Sequence, residues 1–287
     1  MGIFKDLLSR HLLRRSSTPS LQPARCHSIS EAQALSCCAA AAAPAGAEDE
    51  EEEEELPMLS WYHPHTIRVR RMAGDLIAAA CDDRNYGRRR LSESIRRHFA
   101  GINWAVGVVD AGYVNGFSTA TGGIVVSTGL LGYLRSEAAV AAVLGHEVGH
   151  VIARHAEERD RNWLLVGLLA HFAGELLDAP PGDRAPTRSS WMSLFMRSCY
   201  FSQEYEADRL GLLLLAAAGY DPRAGLQMYR KLGEVAGDAA PDDVRATHPA
   251  STKRAQRLSE AKLMEEAMDL YRQAVRCGKG AGAMGYW

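Results

Sequence analysis

The pentapeptide His-Glu-Val-Gly-His at residues 146–150 constrains this chain more than any other feature. The segment around it, residues 136–155, contains no proline, and its small and apolar residues favour an α-helix. On a helix, positions 146 and 150 share one face, so both imidazoles can reach one metal ion with Glu147 beside them. A zinc ion held in this way needs at least one more protein ligand and a position open to water, from which Glu147 can take a proton.

The context of the pentapeptide favours a metal site. Ser136 and Glu137 supply the polar cap and the early acid that a helix N-terminus prefers. Apolar residues recur near helical spacing on both sides of the motif, which predicts a buried or half-buried helix. The alternative is a pair of core histidines on an amphipathic helix.

A third ligand is expected from a separate helix, and residues 202–211 offer one. Glu204 and Asp208 are four apart, so their carboxylates lie on one helical face. One can bind the metal while the other accepts the free N–H of a ligand histidine. Glu206 falls elsewhere on this helix and is interpreted as an ordinary surface acid. Without the pentapeptide, the segment would indicate only a solvated helical face.

Together the two motifs, H-E-x-x-H and E-x-x-A-D-R-x-G, resemble those of the gluzincin peptidases that include HtpX and the CAAX prenyl proteases. Within that group the chain is most similar to the Oma-type mitochondrial metalloendopeptidases and their soluble bacterial relatives. The resemblance runs from about His65 to Leu258. It is also carried by segments at residues 65–72, 114–131, 218–222 and 247–254.

The resemblance implies an α+β, mostly helical gluzincin metallopeptidase domain with a small β-sheet lining the cleft. It implies one Zn²⁺ per subunit, with His146, His150 and Glu204 as ligands, Glu147 as general base and Asp208 behind the ligands. It further implies cleavage of protein or peptide substrates in quality control at the mitochondrial inner membrane. The alternative is a catalytically silent zinc-binding scaffold or a membrane-associated interaction protein. The chain departs from the family pattern at residues 120–123, where Ala-Thr-Gly-Gly replaces the usual Pro-Gly-Gly, which affects loop geometry and substrate preference.

The resemblance also places His248, in the segment Thr-His-Pro, near the cleft. A neutral imidazole there could occupy the open zinc position in the resting enzyme, or donate a hydrogen bond to the oxyanion during catalysis. A third interpretation is a histidine that packs or caps locally at a helix start. Arg254, six residues on, is interpreted as structural and paired with a carboxylate on a neighbouring helix.

The chain divides into four predicted regions. Residues 1–30 carry five basic residues against Asp6 alone and predict a mitochondrial transit peptide, with a plastid transit peptide or a disordered basic tail as alternatives. Residues 31–60, Ala-rich and then acidic, predict a disordered linker. Residues 61–278 form the predicted metallopeptidase domain, and residues 279–287 a flexible tail.

Within the domain, helices are predicted near residues 65–81 and 88–99. Short β-branched segments from Trp104 and from Gly123 predict two strands. In the resembled family the second strand lines the cleft, where a substrate peptide would add by main-chain hydrogen bonds.

The C-terminal half is predicted to be helical. The apolar segment at residues 163–177 is too short to span a membrane and predicts an interfacial or cleft-covering helix or a plain core helix. Residues 178–190 predict a mobile loop that could gate the site. Helix 191–218 carries Glu204, Asp221-Pro222 starts the next helix, and a last long helix covers residues 250–276.

Composition narrows the function classes. The 287 residues, 47% of them hydrophobic, are enough for one catalytic domain with a core. No basic stripe with interleaved aromatic residues is present, so the sequence predicts no nucleic-acid partner. The six cysteines show no C-x-x-C spacing and are predicted to be free thiols.

Overall fold

The computed structural model describes residues 57–86, 93–176, 185–236 and 250–279. It begins with α1 (Pro64–Cys81), a short 3₁₀ helix (Asp83–Tyr86) and α2 (Glu93–Gly101). Three strands follow, β1 (Ala105–Val109), β2 (Gly116–Ser118) and β3 (Gly123–Ser127). The remaining helices are α3 (Thr128–Leu134), α4 (Glu137–Ala153), α5 (His155–Leu176), α6 (Ala185–Ala217), α7 (Arg223–Ala236), α8 (Ser251–Leu258) and α9 (Ala261–Arg276).

The mostly helical α+β prediction is confirmed. Helix α4 is the central element and is buried along almost its whole length, with α6, α1 and α7 packed around it. The pattern of small and apolar residues explains this position, because a helix that is apolar on every side is stable only inside a core. Both predicted metal motifs therefore lie on helices that pack against each other.

Helices α4 and α6 approach closely because glycines face each other at their contact. A Cβ added at Gly211 would lie 2.7 Å from the backbone nitrogen of His146, and one added at Gly145 would lie 3.0 Å from the carbonyl oxygen of Gly211. Any side chain larger than hydrogen at Gly211 would force the two helices apart. The glycine of the E-x-x-A-D-R-x-G motif thus sets the distance between the two halves of the predicted metal site.

The three strands form a small mixed sheet in the order β1-β3-β2, with β1 parallel and β2 antiparallel to β3. The register pairs Gly116 with Val126 and Ser118 with Ile124. Residues 57–59, which precede the predicted domain start, already contact β1: Met58 forms a bridge to Val109, and the Leu59 N–H donates to the Val108 carbonyl.

The structure corrects four details of the predicted elements. Strand β2 and helix α3 were not predicted from the sequence. The strand from Gly123 is present as β3, the middle strand, and of the strands β2 has the more extensive contact with α4. Helix α6 begins at Ala185 and so includes residues 185–190, which were expected to be loop. The predicted last helix is two helices, which end and begin around Ser259 and Glu260.

Candidate metal centre

Two imidazoles and one carboxylate converge between α4 and α6. The Nε2 atoms of His146 and His150 are 3.0 Å apart. Glu204 contributes Oε2 at 3.5 Å from Nε2 of His146 and Oε1 at 3.3 Å from Nε2 of His150. All three side chains are buried, and they form the one group of potential metal ligands found in the described ranges.

The donor atoms fit a zinc ion in both type and spacing. Imidazole nitrogens and a carboxylate oxygen are ligands that Zn²⁺ prefers, and in a tetrahedral site with bonds of about 2.0–2.1 Å they lie about 3.3 Å apart. The three distances observed here bracket that value. A third protein ligand from a second helix completes the set that a catalytic zinc site requires.

The imidazole of His146 contacts a charged network, in which Nη2 of Arg254 lies 3.2 Å from its Nδ1 and 3.3 Å from its Nε2. Its Nδ1 atom lies 2.9 Å from Oδ1 of Asp208. Arg254 donates to both carboxylate oxygens of Asp208, from Nε at 2.8 Å and from Nη2 at 2.6 Å, and its Nη1 lies 3.2 Å from Oε2 of Glu204. The hydroxyl of Tyr229 donates to Asp208 and accepts from Arg254.

Electrostatics at His146 favour a cation. Burial and the guanidinium of Arg254 lower the pKa of His146, but hydrogen bonds to Asp208 and Glu204 outweigh them and raise it to about 9. Burial alone would raise the pKa of Asp208, and Arg254 instead holds that pKa far below its ordinary value. Two carboxylates that attract a proton to an imidazole equally attract a metal ion, which would replace that proton.

The imidazole of His150 has a different environment. Burial, followed by the neighbouring His146, lowers the pKa of His150 to about 3, so its ring is neutral and has a lone pair for a metal. Its Nδ1 atom lies 2.8 Å from Nδ1 of His155, a residue that is completely buried. Nε2 of His155 in turn lies 3.5 Å from Oε2 of Glu206.

Glu147 lies on the same helix as the two histidines and points towards the sheet. The hydroxyl of Ser118, on β2, donates to its Oε2 at 2.7 Å. This contact fixes the rotation of the carboxylate, and it links the predicted general base to the strand that packs on α4. Ser118 belongs to the segment that resembles the family, but nothing in the sequence pattern assigned it a role.

The sequence located most of the residues that meet here. The structure brings together His146, Glu147, His150, Glu204 and Asp208, and it pairs Arg254 with carboxylates on α6, as expected. His248 lies outside the described residues. The interpretation of Glu206 as an ordinary surface acid is wrong, because its half-buried carboxylate faces His155.

Tyr229 and His155 were missed. His155 lies five residues after His150, and this third histidine so close behind the pentapeptide was the available signal. Tyr229 lies on α7, outside every motif, and carried no comparable signal.

Comparisons with known proteins agree with the geometry. Residues 87–262 match the family model described as Peptidase family M48. The Mitochondrial metalloendopeptidase OMA1 of Arabidopsis thaliana is 43% identical over 185 residues, which is 63% of this chain and 36% of that protein. The Schizosaccharomyces pombe protein of the same name is 28% identical over 223 residues, 75% of this chain and 60% of that protein.

A bacterial relative is also similar. The Beta-barrel assembly-enhancing protease of Escherichia coli strain K12 is 30% identical over 151 residues, 47% of this chain and 30% of that protein. The chain thus spans about a third of the plant and bacterial proteins and 60% of the yeast protein.

Proposed function

Because the chain belongs to peptidase family M48, we propose that it is a zinc-dependent metalloendopeptidase that hydrolyses peptide bonds of protein substrates. The resemblance to Oma-type peptidases found in the sequence is confirmed by the plant relative. The observation that carries the proposal is the convergence of His146, His150 and Glu204 beside a carboxylate, Glu147, that is itself held in place.

His146, His150 and Glu204 would hold the zinc ion. When bound, zinc supplies a Lewis acid that polarises the scissile carbonyl and makes a neighbouring water more acidic. Asp208 contacts Nδ1 of His146, and the Nε2 atoms of His146 and His150 lie 3.0 Å apart, so both can face one ion. These residues bind and orient, and they do not themselves exchange protons with the substrate.

Glu147 would perform the proton transfers. Its carboxylate takes a proton from the attacking water as the new bond to the carbonyl carbon forms, and then delivers that proton to the nitrogen of the leaving amine. Ser118 donates to Oε2 and so restricts the carboxylate to one rotation. A general base held in this way is in position before the substrate arrives.

Strand β2 is the proposed docking site for the substrate chain. In the described ranges it pairs with β3 on one side, and Ser118 brings this strand within hydrogen-bond distance of Glu147. A peptide that adds beside β2 through main-chain hydrogen bonds would pass the general base whatever its side chains. This mode of binding supports a protease that accepts substrates of many sequences.

The proposed location is the mitochondrion, with a role in protein quality control at the inner membrane. The name of the plant relative and the basic N-terminal residues 1–30 support it. Fusing residues 1–30 to a fluorescent protein tests it: mitochondrial signal is expected, and cytosolic or plastid signal would contradict it.

Peripheral membrane association belongs to the same proposal. Among the described helices, none has an apolar stretch long enough to cross a membrane. The middle of α5 exposes four large apolar side chains, namely Trp163, Leu164, Leu165 and Leu168. Such a face suits the interface of a membrane. Release of the protein by carbonate extraction would agree with peripheral association.

His248 keeps its proposed role near the cleft. His248→Ala should raise basal proteolysis if the imidazole occupies the open zinc position, and should lower turnover with zinc retained if it donates to the oxyanion. Unchanged activity and zinc affinity would leave only the local structural role.

The decisive experiment is Glu147→Gln. The amide keeps the shape of the carboxylate but cannot accept a proton, so proteolysis should fall by about two to four orders of magnitude while zinc content stays near that of the wild type. Glu137→Gln, on the first turn of the same helix and distant from the site, is the matched control and should retain activity. Zinc binding without peptide cleavage in the wild type would favour the silent scaffold instead.

A further inference from the structure

Each proposed histidine ligand has its own partner behind the ring, and the two partners differ. His146 directs Nδ1 at a carboxylate, Asp208, at 2.9 Å. His150 directs Nδ1 at another imidazole, that of His155, at 2.8 Å. An imidazole is an unusual partner for a metal ligand, because carboxylates, carbonyls and water are the common ones.

The backbone between the two histidines brings about this contact. Residues five apart on a continuous α-helix point about 140° away from each other. Here α4 ends at Ala153, and Arg154 has a left-handed backbone with φ of 60°. The turn at Arg154 starts α5 in a new direction and brings His155 back onto the ring of His150, with 4.9 Å between the ring centroids.

The proton positions follow from the contact. If Nε2 of His150 gives its lone pair to a metal, the single proton of the neutral ring is on Nδ1. Nδ1 of His155 must then accept a hydrogen bond from that N–H, since two N–H groups cannot face each other at 2.8 Å. The proton of His155 is therefore on Nε2, the atom that lies 3.5 Å from the carboxylate of Glu206.

We propose that His155 and Glu206 form a relay that positions His150 for metal binding. The negative charge of Glu206 favours the tautomer of His155 that carries its proton on Nε2. His155 then accepts a hydrogen bond from Nδ1 of His150 and so holds that ring with Nε2 directed at the metal. Both are positioning residues. The inference rests on the metal role proposed above and extends it to one pair of residues behind one ligand.

The test measures the affinity for Zn²⁺ by competition with a chromophoric chelator. His155→Leu removes the acceptor and should weaken binding about 10- to 100-fold, as is typical for groups that orient a ligand. His155→Asn places an amide oxygen where Nδ1 lies and should lose less than about ten-fold. Glu206→Ala and Glu206→Gln should both weaken binding, because each removes the negative charge that lies 3.5 Å from Nε2 of His155 and favours a proton there.

Two further measurements separate positioning from folding. The visible spectrum of the Co²⁺-substituted protein should change in His155→Leu and be restored in His155→Asn, because it reports the ligand geometry. Urea unfolding of the metal-free variants measures any loss of fold stability independently. Glu157→Gln, two residues after His155 on α5 and half-buried, is the matched control and should leave affinity and spectrum unchanged.

Two outcomes overturn the inference and are distinguishable. If zinc binding depends on His146 and Glu204 but has the same affinity in His155→Leu as in the wild type, the relay is wrong and the proposed function stands. If zinc binding does not depend on His146 or Glu204, both the relay and the proposed function are wrong.

Discussion

The two proposed histidine ligands are supported in contrasting ways. Behind His146 lie Asp208, Tyr229 and Arg254, from three different helices and up to 108 residues away along the chain. Behind His150 lies His155, only five residues on, with Glu206 beyond it. The group behind His146 contains full charges and joins α4 to α6, α7 and α8. The group behind His150 is mostly local, because His155 is only five residues away. Substitutions on the His146 side should therefore weaken the whole fold, and those on the His150 side chiefly the metal site.

The largest effect is expected from Arg254→Met. It removes the buried guanidinium from beside the carboxylates of Asp208 and Glu204, so the free energy of unfolding of the metal-free protein should fall by about 3–5 kcal/mol. Urea unfolding measures this change. Arg257→Met, on the same helix, removes an exposed guanidinium that stacks 3.8 Å from the ring centre of Tyr205, and should cost no more than about 1 kcal/mol. Equal losses of unfolding free energy in Arg254→Met and Arg257→Met would show that the network at His146 does not stabilise the fold more than an exposed contact does.

A smaller effect is expected from pH at His98, which contacts the C-terminal end of α4. His98 contacts the carbonyl of Ile152 and accepts from Arg154 at 3.1 Å. Burial and then the charge of Arg154 lower the pKa of His98 to about 4. In the unfolded chain the pKa of His98 is near 6.5, so between pH 6.5 and 4 the unfolded chain binds a proton at His98 more readily than the folded protein does. The free energy of unfolding therefore falls as the pH drops from 6.5 to 4.

The contribution of His98 is at most about 3 kcal/mol, fully present above pH 6.5 and lost by pH 4. Urea unfolding of the metal-free protein against pH should show a steeper acid loss in the wild type than in His98→Gln. Parallel curves would show that His98 does not couple the end of α4 to acid stability.

The smallest effect is expected from Gly211→Ala, which acts on both histidines at once. Its Cβ would meet the backbone of His146 at 2.7 Å, so α6 must move away from α4. We expect a loss of about 1–3 kcal/mol in stability together with weaker zinc binding, because Glu204 moves with α6. Gly167→Ala is the matched control: no atom lies within 4 Å of its added Cβ, and it should stabilise α5 by up to about 1 kcal/mol. Zinc affinity that survives Gly211→Ala would show that the site tolerates a wider helix separation.

The sequence by itself determined the helix of the pentapeptide, the three proposed ligands and the helical face that carries Glu204 and Asp208. These are local properties, since spacing along one helix decides which side chains share a face, and the general base is adjacent to a ligand in the motif. The pairing of Arg254 with a carboxylate was also predictable in kind, because a buried guanidinium requires one.

Only the tertiary structure decided which groups stand behind each ligand. Tyr229 reaches Asp208 because α7 packs on α4, and Ser118 reaches Glu147 because β2 lies beside the same helix. Glu206 faces His155 because the left-handed turn at Arg154 redirects the chain, and no periodicity in the sequence encodes that turn. Such contacts join residues far apart or across a break in a helix, so they depend on packing rather than on spacing.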